Sequence, residues 1–531
     1  MIRMTTINGK PTYFFFVSLA VFSLSFQANA STPASSKQHY ANFVVLGQAP
    51  DGNNIALART VIDEAVFCPS ISKVGKGQKS FPMIPRENPN HFSVIVCEAL
   101  INFDVRYQIN FSDTAIKLPV AKSNPKNIQV FGDTGCKLAK PGKAGCALGT
   151  AAEPFKSLAD AGAKENPDVV LHMGDYNYRG TSGDVYFTQK NSSGQLEQVK
   201  QWTYDAGDGS TQGQHCEQDG AIPFYSQSAA NSNFPDIWRN WHDDVFKAGK
   251  KLMAAAPWIV ARGNHELCSR AGAGYFYFLD PHSNLVAGSQ QLSCPAPKLN
   301  QSALDNTIQI PSYKVSFKNL DVVVIDSANA CDSYADSPFT AVYKKTFEEV
   351  EKLATNKPTW LMGHRPIWGI TEYYSSGSTG CTSQNQYGCV NQMMQAAIKL
   401  LPTKALPSTI ELVLAGHMHR FQSVSFANSS RPPQLVIGSS GVALDSSPPN
   451  GQLTSNIDGL PAQVLTTNNK IQSKGKNYDA FGYLRIKLKK SGDWKALLVN
   501  PPKKITVARC SSQQNLQLGV CEFSAGISAP D

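Results

Sequence analysis

Short hydrophobic runs follow one another along most of the chain, and the segments between them change character near residue 125. Before that point, alternating or apolar runs separated by Gly, Pro and Asn predict strands at 42–46, 92–96 and 105–109. This spacing is typical of a small all-β domain. After it, apolar runs alternate with amphipathic stretches, which is typical of an α/β domain with helices on both faces of its sheets. The predicted strands are 127–131, 167–173, 257–261, 320–325, 359–362 and 410–415, and the predicted helices include 237–252 and 344–353.

The same pattern predicts the domain organisation. We expect a small β domain at 31–124, an α/β domain at 125–500 and a polar C-terminal tail at 501–531 that packs along the surface. Residues 181–235 are rich in Gly, Ser, Gln and Asn, which indicates a long surface insertion. Residues 371–390 are similarly polar and are predicted to form a loop.

Residues 1–30 have the features of a cleaved secretory signal peptide. Two basic residues precede an apolar run at 13–26, and the small-x-small sequence Ala28-Asn29-Ala30 follows it. The run is too short for a membrane span, and no later stretch reaches the roughly 18 apolar residues that a span requires. We therefore expect an exported mature protein, periplasmic or secreted, without a transmembrane segment.

The cysteines agree with export. There are 12, and none of them lies in a CxxC motif, so the sequence favours disulfides over a zinc ribbon or a redox motif. The sequence does not fix their connectivity. Pairing of neighbours predicts bonds Cys68–Cys97, Cys136–Cys146, Cys268–Cys294, Cys381–Cys389 and Cys510–Cys521, which leaves Cys216 with Cys331.

Composition excludes several classes of protein. Hydrophobic residues make up 42% and charged residues 17% of the chain, which rules out a collagen, a coiled coil or a wholly disordered protein. The net charge is +9, but the basic residues form no run. We therefore expect no nucleic-acid-binding module.

Five predicted strands end in the same way, with a hydrophobic run, a glycine and then a side chain able to bind metal. Glycine permits a sharp turn, and ligands of open α/β folds bind beyond the carboxyl ends of the strands. The five sequences are GDTG at 132–135, GDYNY at 174–178, GNHE at 263–266, GHRP at 363–366 and GHMH at 416–419. They would bring together the candidate metal ligands Asp133, Asp175, Tyr178, Asn264, His364, His417 and His419.

This donor set indicates two metal ions. Seven oxygen and nitrogen donors are too many for one tetrahedral site, and they suit two first-row metals that share a carboxylate. A pair of metals about 3.5–4 Å apart can polarise a phosphoryl group and generate hydroxide near neutral pH. The sequence therefore predicts a binuclear hydrolase.

The ordered motifs resemble those of the calcineurin-like metallophosphoesterases, and more narrowly those of the purple acid phosphatases. The resemblance covers about residues 127–425, and the β domain ahead of it resembles that of the larger members. Two details favour the purple enzymes: Gly135 stands where many relatives place a His, and Tyr178 stands where the purple enzymes carry the Tyr that binds ferric iron. The resemblance implies an αββα sandwich.

The resemblance also implies a role for each donor. The first metal would be held by Asp133, Asp175, Tyr178 and His419, and the second by Asp175, Asn264, His364 and His417. A phenol with a pKa of about 10 is a poor ligand until a strongly Lewis-acidic ion removes its proton, so Tyr178 favours Fe(III). We expect a divalent second ion, Zn, Mn or Fe. His265 would be the non-ligand His that donates a proton to the leaving group, with Glu266 orienting it.

The function expected from these residues is an exported acid phosphatase. It would hydrolyse phosphomonoesters by attack of a metal-bound hydroxide, without a covalent phosphoenzyme. A phosphodiesterase or nucleotide-cleaving enzyme with the same metal site is the first alternative, because the pocket wall decides between monoester and diester. A binding protein without turnover is the second, and the intact ligand set counts against it.

Four further residues near the motifs have two interpretations. Arg365 and Arg270 could bind the substrate phosphate, although a structural ion pair is the competing role for each. His172 and Asp326 also lie at strand ends, and we interpret both as structural residues.

Overall fold

The computed structural model of the chain describes residues 34–89, 92–136, 154–178, 185–190, 196–201, 236–268, 270–295, 307–332, 335, 337–371, 388–426, 429–446, 450–515 and 519–529. The predicted signal peptide at 1–30 lies outside these residues, as does most of the predicted insertion and of the loop at 371–390. Within the described residues no helix is long and apolar enough to cross a membrane.

The strands, in chain order, are β1 His39–Gln48, β2 Asn54–Asp63, β3 Ser70–Lys73, β4 Ser80–Pro82, β5 Ile84–Pro85, β6 Val94–Ile101, β7 Tyr107–Asn110, β8 Ala115–Lys117, β9 Asn127–Phe131, β10 Val169–His172, β11 Val185–Lys190, β12 Leu196–Gln201, β13 Trp258–Val260, β14 Tyr313–Ser316, β15 Asp321–Val324, β16 Thr359–Met362, β17 Gly369–Thr371, β18 Gly388–Val390, β19 Ile410–Ala415, β20 Phe421–Phe426, β21 Gln434–Ile437, β22 Gly451–Ile457, β23 Leu460–Thr466, β24 Lys470–Ser473, β25 Lys476–Asp479, β26 Tyr483–Leu488, β27 Trp494–Asn500, β28 Ile505–Asn515, β29 Gly519–Phe523 and β30 Ile527–Ser528. The α-helices are α1 Phe155–Lys164, α2 Trp238–Trp241, α3 Ala248–Ala255, α4 Gly272–Gly274, α5 Ser337–Leu353 and α6 Gln392–Lys399. Short 3₁₀ turns occupy Ser36–Gln38, Asn264–Glu266 and Pro501–Lys503, and π-helical turns continue α2 at His242–Lys247 and α4 at Tyr275–Leu279.

Two large mixed sheets form the body of the fold. The first has the strand order β29-β28-β27-β26-β9-β10-β13-β1-β2-β6-β5, and the second has the order β14-β15-β16-β19-β21-β20-β23-β22. Their centres are parallel: β9, β10, β13 and β1 in the first sheet, and β15, β16, β19 and β21 in the second. The central strands are apolar almost throughout because both faces of a parallel sheet are covered.

Side chains alternate along each central strand between two hydrophobic layers. Val130 and Leu171 of the first sheet share one core with Val322 and Leu412 of the second. Their neighbours on the outer face of the first sheet, such as Val170, pack against α1 and α3. Helices α5 and α6 cover the outer face of the second sheet. The fold is therefore an αββα sandwich, as expected.

The N-terminal region is all β, also as expected, and four of its strands belong to the first large sheet. β1 pairs in parallel with β13, and β2, β6 and β5 extend the first large sheet beyond it. A smaller sheet is formed by β4, β3, β7 and β8. Strand pairing thus crosses the predicted boundary at residue 124.

The C-terminal segment differs from the predicted surface tail. β28 and β29 form the edge of the first large sheet, and Val507 and Val520 are buried in the core between the sheets. The predicted insertion contains the antiparallel hairpin β11–β12.

Three predicted disulfides are confirmed: Cys68–Cys97, Cys268–Cys294 and Cys510–Cys521. Cys136 and Cys331 are also disulfide-bonded, but their predicted partners Cys146 and Cys216 lie outside the described residues. Cys381, the predicted partner of Cys389, lies outside them as well.

Candidate metal centre

The five motifs meet where the two sheets face each other. Asp133, Asp175 and Asn264 follow strands β9, β10 and β13 of the first sheet, and His364 and His417 follow β16 and β19 of the second. Backbone hydrogen bonds join the loops: Asp133 N–H donates to Gly174 O (3.1 Å) and Gly416 N–H donates to His364 O (2.8 Å). Strand ends from both sheets therefore deliver the predicted ligands to one place.

The sharp turns in these motifs are made by the ligands themselves. Asp133, Asp175 and His417 have left-handed φ angles of 57°, 57° and 72°. Asp and His tolerate this conformation better than most residues, and strain of this kind is concentrated at functional sites. The role predicted for the preceding glycines as the turn residues is therefore wrong, except at Gly174 (φ 96°).

The glycines are instead required by close approach. A Cβ on Gly416 would overlap Asp133 Oδ2, and a Cβ on Gly263 would overlap the backbone and carboxylate of Asp175. Neither position leaves space for any side chain. The glycines thus let the ligand loops from different strands touch.

One group of donors consists of Tyr178, Asp133 and His419. Tyr178 Oη lies 2.7 Å from Asp133 Oδ1 and 3.0 Å from His419 Nε2, and His419 Nε2 is 3.8 Å from Asp133 Oδ1. Tyr178 and Asp133 are buried, while His419 is partly exposed. This is the set predicted for the first metal, apart from the shared Asp175.

A second group consists of Asn264, His364 and His417. Asn264 Oδ1 is 2.8 Å from His364 Nε2 and 2.9 Å from His417 Nδ1. Asp175 lies beside both groups: its Oδ2 is 3.3 Å from His364 Nε2, its backbone C=O accepts the N–H of Thr134 next to Asp133 (3.1 Å), and its charge helps to raise the pKa of Tyr178. Ligand atoms of Asp175, His364 and His417 all lie within 4.8 Å of one another, close enough to share a metal ion.

The donor chemistry of the second group fits a cation. The N–H at His364 Nδ1 is donated to Met173 O (2.8 Å). The N–H at His417 Nε2 is donated to the Asp332 carboxylate (2.7 Å). Each neutral ring then turns a lone pair toward Asn264 Oδ1, so lone pairs face lone pairs. With the amide oxygen on this side, additional protons or a metal ion between these atoms would satisfy the lone pairs, and the residues therefore suit metal binding.

The electrostatics show how strongly the site attracts positive charge. Burial and the neighbouring Asp175 raise the pKa of Asp133 well above its ordinary range. Burial alone would also raise the pKa of Asp175, but the neighbouring His364 holds the pKa of this carboxyl well below its ordinary range. Burial lowers the pKa of His364, but Asp175 and Asp133 outweigh this and raise it to about 9. Protons on Asp133 and His364 thus occupy places where a cation could bind.

Tyr178 is a protonated phenol in this arrangement. Burial, followed by the charges of Asp133 and Asp175, raises its pKa well above 10. Its hydroxyl accordingly donates to Asp133 Oδ1. Only a strongly Lewis-acidic cation could displace this proton.

Two carboxylates behind the predicted ligands were missed by the sequence analysis. Asp332 faces His417, and Asp445 receives the backbone N–H of His419 (3.1 Å) and lies 3.7 Å from its Nδ1. Metal-binding histidines commonly donate their outer N–H to such partners. Burial would raise the pKa of Asp332, but Arg365 and His417 hold it well below its ordinary range. No strand-end motif marks either position.

Arg365 is engaged by Asp332. Its Nη1 donates to Asp332 Oδ2 (2.6 Å), and its Nε donates to Ala328 O (3.3 Å). This is the competing role considered for Arg365, although substrate binding stays a prediction. Arg270 is buried and follows the Asn264–Glu266 turn, and its backbone N–H donates to Leu267 O (2.8 Å). The role of its side chain in phosphate binding stays a prediction.

Glu266 has a different role from the one expected. Its carboxylate accepts the backbone N–H groups of Asp175, Tyr176 and Asn177 (3.0, 2.8 and 3.1 Å) and that of Gly263 (3.1 Å). Burial and Asp175 raise its pKa to about 8. Glu266 therefore fixes the loop that carries Asp175.

His265 lies beside the donor set. Its backbone N–H donates to Asp175 Oδ1 (2.9 Å), and its ring packs on Tyr178 with 4.0 Å between ring centres. His265 and the predicted ligands His417 and His419 are partly exposed, whereas the five remaining predicted ligands are buried. The three rings mark the side of the site that faces solvent.

His172 and Asp326 have the structural roles expected. His172 is buried against Tyr176 (4.1 Å between ring centres) and 2.9 Å from Thr134 Oγ1, and burial lowers its pKa to about 3. Asp326 pairs with Arg262 at 3.0 Å.

The sequence model of the calcineurin-like phosphoesterases matches residues 127–421, which is more than half of the chain, and the chain belongs to this family. Membership assigns phosphoester hydrolysis as the class of reaction and divalent metal ions as the class of cofactor. The structure is similar to that of the purple acid phosphatase PPD1 isolated from yellow lupin (Lupinus luteus) seeds, with a TM-score of 0.47 and 11% identity over 88% of this chain and 73% of that one. No curated protein sequence matches the chain.

Proposed function

We propose that the protein is an exported phosphomonoesterase with two metal ions. The observation that carries this proposal is the position of Asp175, whose Oδ2 lies 3.3 Å from His364 Nε2 on one side and whose backbone C=O accepts the N–H of Thr134, next to Asp133, on the other (3.1 Å). A carboxylate between two groups of donors is what a shared ligand requires. The first site would use Asp133, Asp175, Tyr178 and His419, and the second would use Asp175, Asn264, His364 and His417.

Tyr178 supports Fe(III) at the first of these sites and a divalent ion, Zn, Mn or Fe, at the second. The phenol lies against Asp133, and both are buried, so a bound ion there would be surrounded by anionic oxygen donors. Such a site favours the more highly charged ion. The second site offers two imidazoles and an amide oxygen, which suit a divalent ion.

When bound, the two ions would neutralise charge on the phosphoryl oxygens and lower the pKa of the water that attacks phosphorus. The remaining chemistry belongs to the chain. The backbone N–H of His265 is held by Asp175 and its ring lies on Tyr178, so the imidazole stands next to the donor set on the solvent side. From there it would donate a proton to the leaving oxygen of the ester.

Export is supported by two features. Residues 1–30 have the pattern of a signal peptide, and the disulfides Cys68–Cys97, Cys268–Cys294 and Cys510–Cys521 fit an oxidising compartment. The proposal places the mature protein in a periplasm or outside the cell.

A comparison of p-nitrophenyl phosphate with bis-(p-nitrophenyl) phosphate tests the proposal. We expect kcat/KM to favour the monoester by at least an order of magnitude and Asp175→Ala to abolish turnover. Asp168→Ala is a matched control, because Asp168 stands before β10 and pairs with Lys122, at the end of the strand away from Asp175. A preference for the diester would replace the proposal with the phosphodiesterase alternative, and a metal-loaded protein without turnover would replace it with a binding function.

A further inference from the structure

The Asp332 carboxylate joins three side chains behind the candidate metal centre. Its Oδ1 accepts from Asn391 Nδ2 (2.8 Å), and its Oδ2 lies 2.6 Å from Arg365 Nη1 and 2.7 Å from His417 Nε2. Asn391 is itself fixed, because its Oδ1 accepts the backbone N–H of Met394 at the start of α6 (2.9 Å). Asp332 is therefore held in place independently of His417.

His417 Nε2 has two neighbours with opposite requirements. Asp332 Oδ2 is an acceptor and needs a hydrogen on Nε2, whereas Arg365 Nη1, 3.0 Å away, is a donor and would bond to a bare Nε2. A neutral imidazole carries one hydrogen. If the hydrogen is on Nε2, then Nδ1, which faces Asn264 Oδ1, has a lone pair for a metal ion. If Nε2 has no hydrogen, Nδ1 carries it and cannot coordinate.

We propose that Asp332 is a positioning residue that keeps His417 in its metal-binding form by competing with Arg365 for Nε2. With Asp332 present, Arg365 donates to the carboxylate and the hydrogen of His417 stays on Nε2. Without Asp332, Arg365 donates to Nε2 and the hydrogen moves to Nδ1, where it blocks coordination. This inference rests on the proposed second metal site and explains why an arginine can stand beside a ligand histidine without displacing the metal.

Three variants separate this competition from a general loss of structure. Asp332→Ala should weaken the binding of the second Zn²⁺ about 10–100-fold, as expected for loss of a histidine's outer partner. Arg365→Met should bind it as the wild type does. The double variant Asp332→Ala/Arg365→Met should bind Zn²⁺ more tightly than Asp332→Ala, within about tenfold of the wild type, because the competing donor is gone. Calorimetric titration of chelator-treated protein with Zn²⁺ measures all four dissociation constants without relying on activity.

Asp321→Ala is the matched control. Asp321 is a buried carboxylate at the opposite end of β15, paired with Lys357 at 3.0 Å, so its loss should lower the melting temperature and leave Zn²⁺ affinity unchanged. If Asp332→Ala does not fold, the double variant, which removes the buried arginine together with its carboxylate partner, is compared with Arg365→Met instead. A loss of more than 100-fold in that comparison would overturn the inference.

The remaining outcomes are distinguishable. A wild type that takes up two Zn²⁺ ions while Asp332→Ala binds them equally well removes the inference and leaves the proposed function intact. A double variant as weak as Asp332→Ala removes the competition with Arg365. A wild type that takes up no Zn²⁺ removes both proposals, because the proposed second site binds a divalent ion.

Discussion

The backbone N–H of His417 donates to the carboxylate of Asp133, at 2.9 Å from Oδ2 and 3.1 Å from Oδ1. These two predicted ligands belong to different sheets and to different metal sites. The Asp133 carboxylate is therefore held by the backbone of the loop that carries His417, and a change in that loop is expected to affect both sites.

The close approach of these loops predicts that Gly416→Ala will disturb metal binding. A methyl group would overlap Asp133 Oδ2, so the carboxylate must move away from Tyr178 and His419. We expect lower metal content and a lower melting temperature, measured by elemental analysis and thermal unfolding. Gly249→Ala is the control: its new methyl group would have only ordinary contact with Phe155 (3.6 Å), so it should stabilise the interior of α3 by up to about 1 kcal/mol. Full metal content in Gly416→Ala would contradict this packing argument.

The shared position of Asp175 predicts different effects for two ligand variants. Asp175→Ala should lose both metals, because it removes a donor from each group. Asn264→Ala should weaken mainly the second metal, since Asn264 contacts His364 and His417, the two imidazole donors of the second group. Elemental analysis of the purified proteins measures both effects. One metal per active wild-type chain would contradict the binuclear arrangement.

The position of His265 predicts a loss of turnover without a loss of metal. His265→Ala should retain both metals while kcat falls by roughly 10²–10⁴ if proton donation is its main role. The fall should be smaller for p-nitrophenyl phosphate than for an alkyl phosphate, because nitrophenolate leaves readily as an anion. Loss of metal in this variant would mean that His265 is a ligand.

Tyr178 predicts the colour of the iron-loaded protein. A phenolate bound to Fe(III) transfers charge to the metal and absorbs visible light, so the oxidised protein should be coloured and Tyr178→Phe should be colourless. Tyr176→Phe is the control from the same motif, because Tyr176 instead donates to Ala261 O (3.1 Å). Visible absorption spectra of the wild type and both variants, together with iron analysis, test whether Tyr178 binds the iron. A coloured Tyr178→Phe protein would reject the assignment.

Asp236 predicts a pH-dependent contribution to stability. It is buried and accepts Trp241 Nε1–H (2.7 Å) and the backbone N–H of Gly274 (3.0 Å), and burial raises its pKa to about 7. The pKa of an Asp in the unfolded chain is about 4. The proton on Asp236 therefore makes its whole contribution to the free energy of unfolding below pH 4, and this contribution is lost as the pH rises through 7. Asp236→Asn removes this dependence, so its melting temperature relative to wild type should be higher at pH 8 than at pH 5, with chelator present throughout. Parallel pH profiles would contradict the prediction.

The strand-end ligands could be predicted because each follows its strand directly in the sequence. A hydrophobic run of four to six residues and the glycine after it are local signals, and β9, β16 and β19 have the predicted bounds. The αββα architecture followed from the resemblance together with the alternation of apolar runs and amphipathic stretches. Three neighbouring cysteine pairs were also correctly predicted.

The remaining features depend on contacts between distant residues. Asp332 and Asp445 gain their roles only because the fold brings them to His417 and His419. Glu266 stands next to His265, which suggested a side-chain pair, but its carboxylate is used by backbone N–H groups that only the tertiary structure places there. β28 was missed because a strand with one face toward solvent can be polar along much of its length, as Ser511, Ser512 and Gln513 are.

The pairing of β1 with β13 constrains the order in which the chain can fold. Val45 lies opposite Trp258, roughly 200 residues later, so this contact closes a very long loop. β1, β2 and β6 can pair with one another soon after they are synthesised, but the other edge of β1 has no partner until β13 emerges. During that interval the exposed edge of an apolar strand is open to pairing with other chains. Slow production or the presence of chaperones should therefore raise the yield of folded protein more than any change at the metal centre.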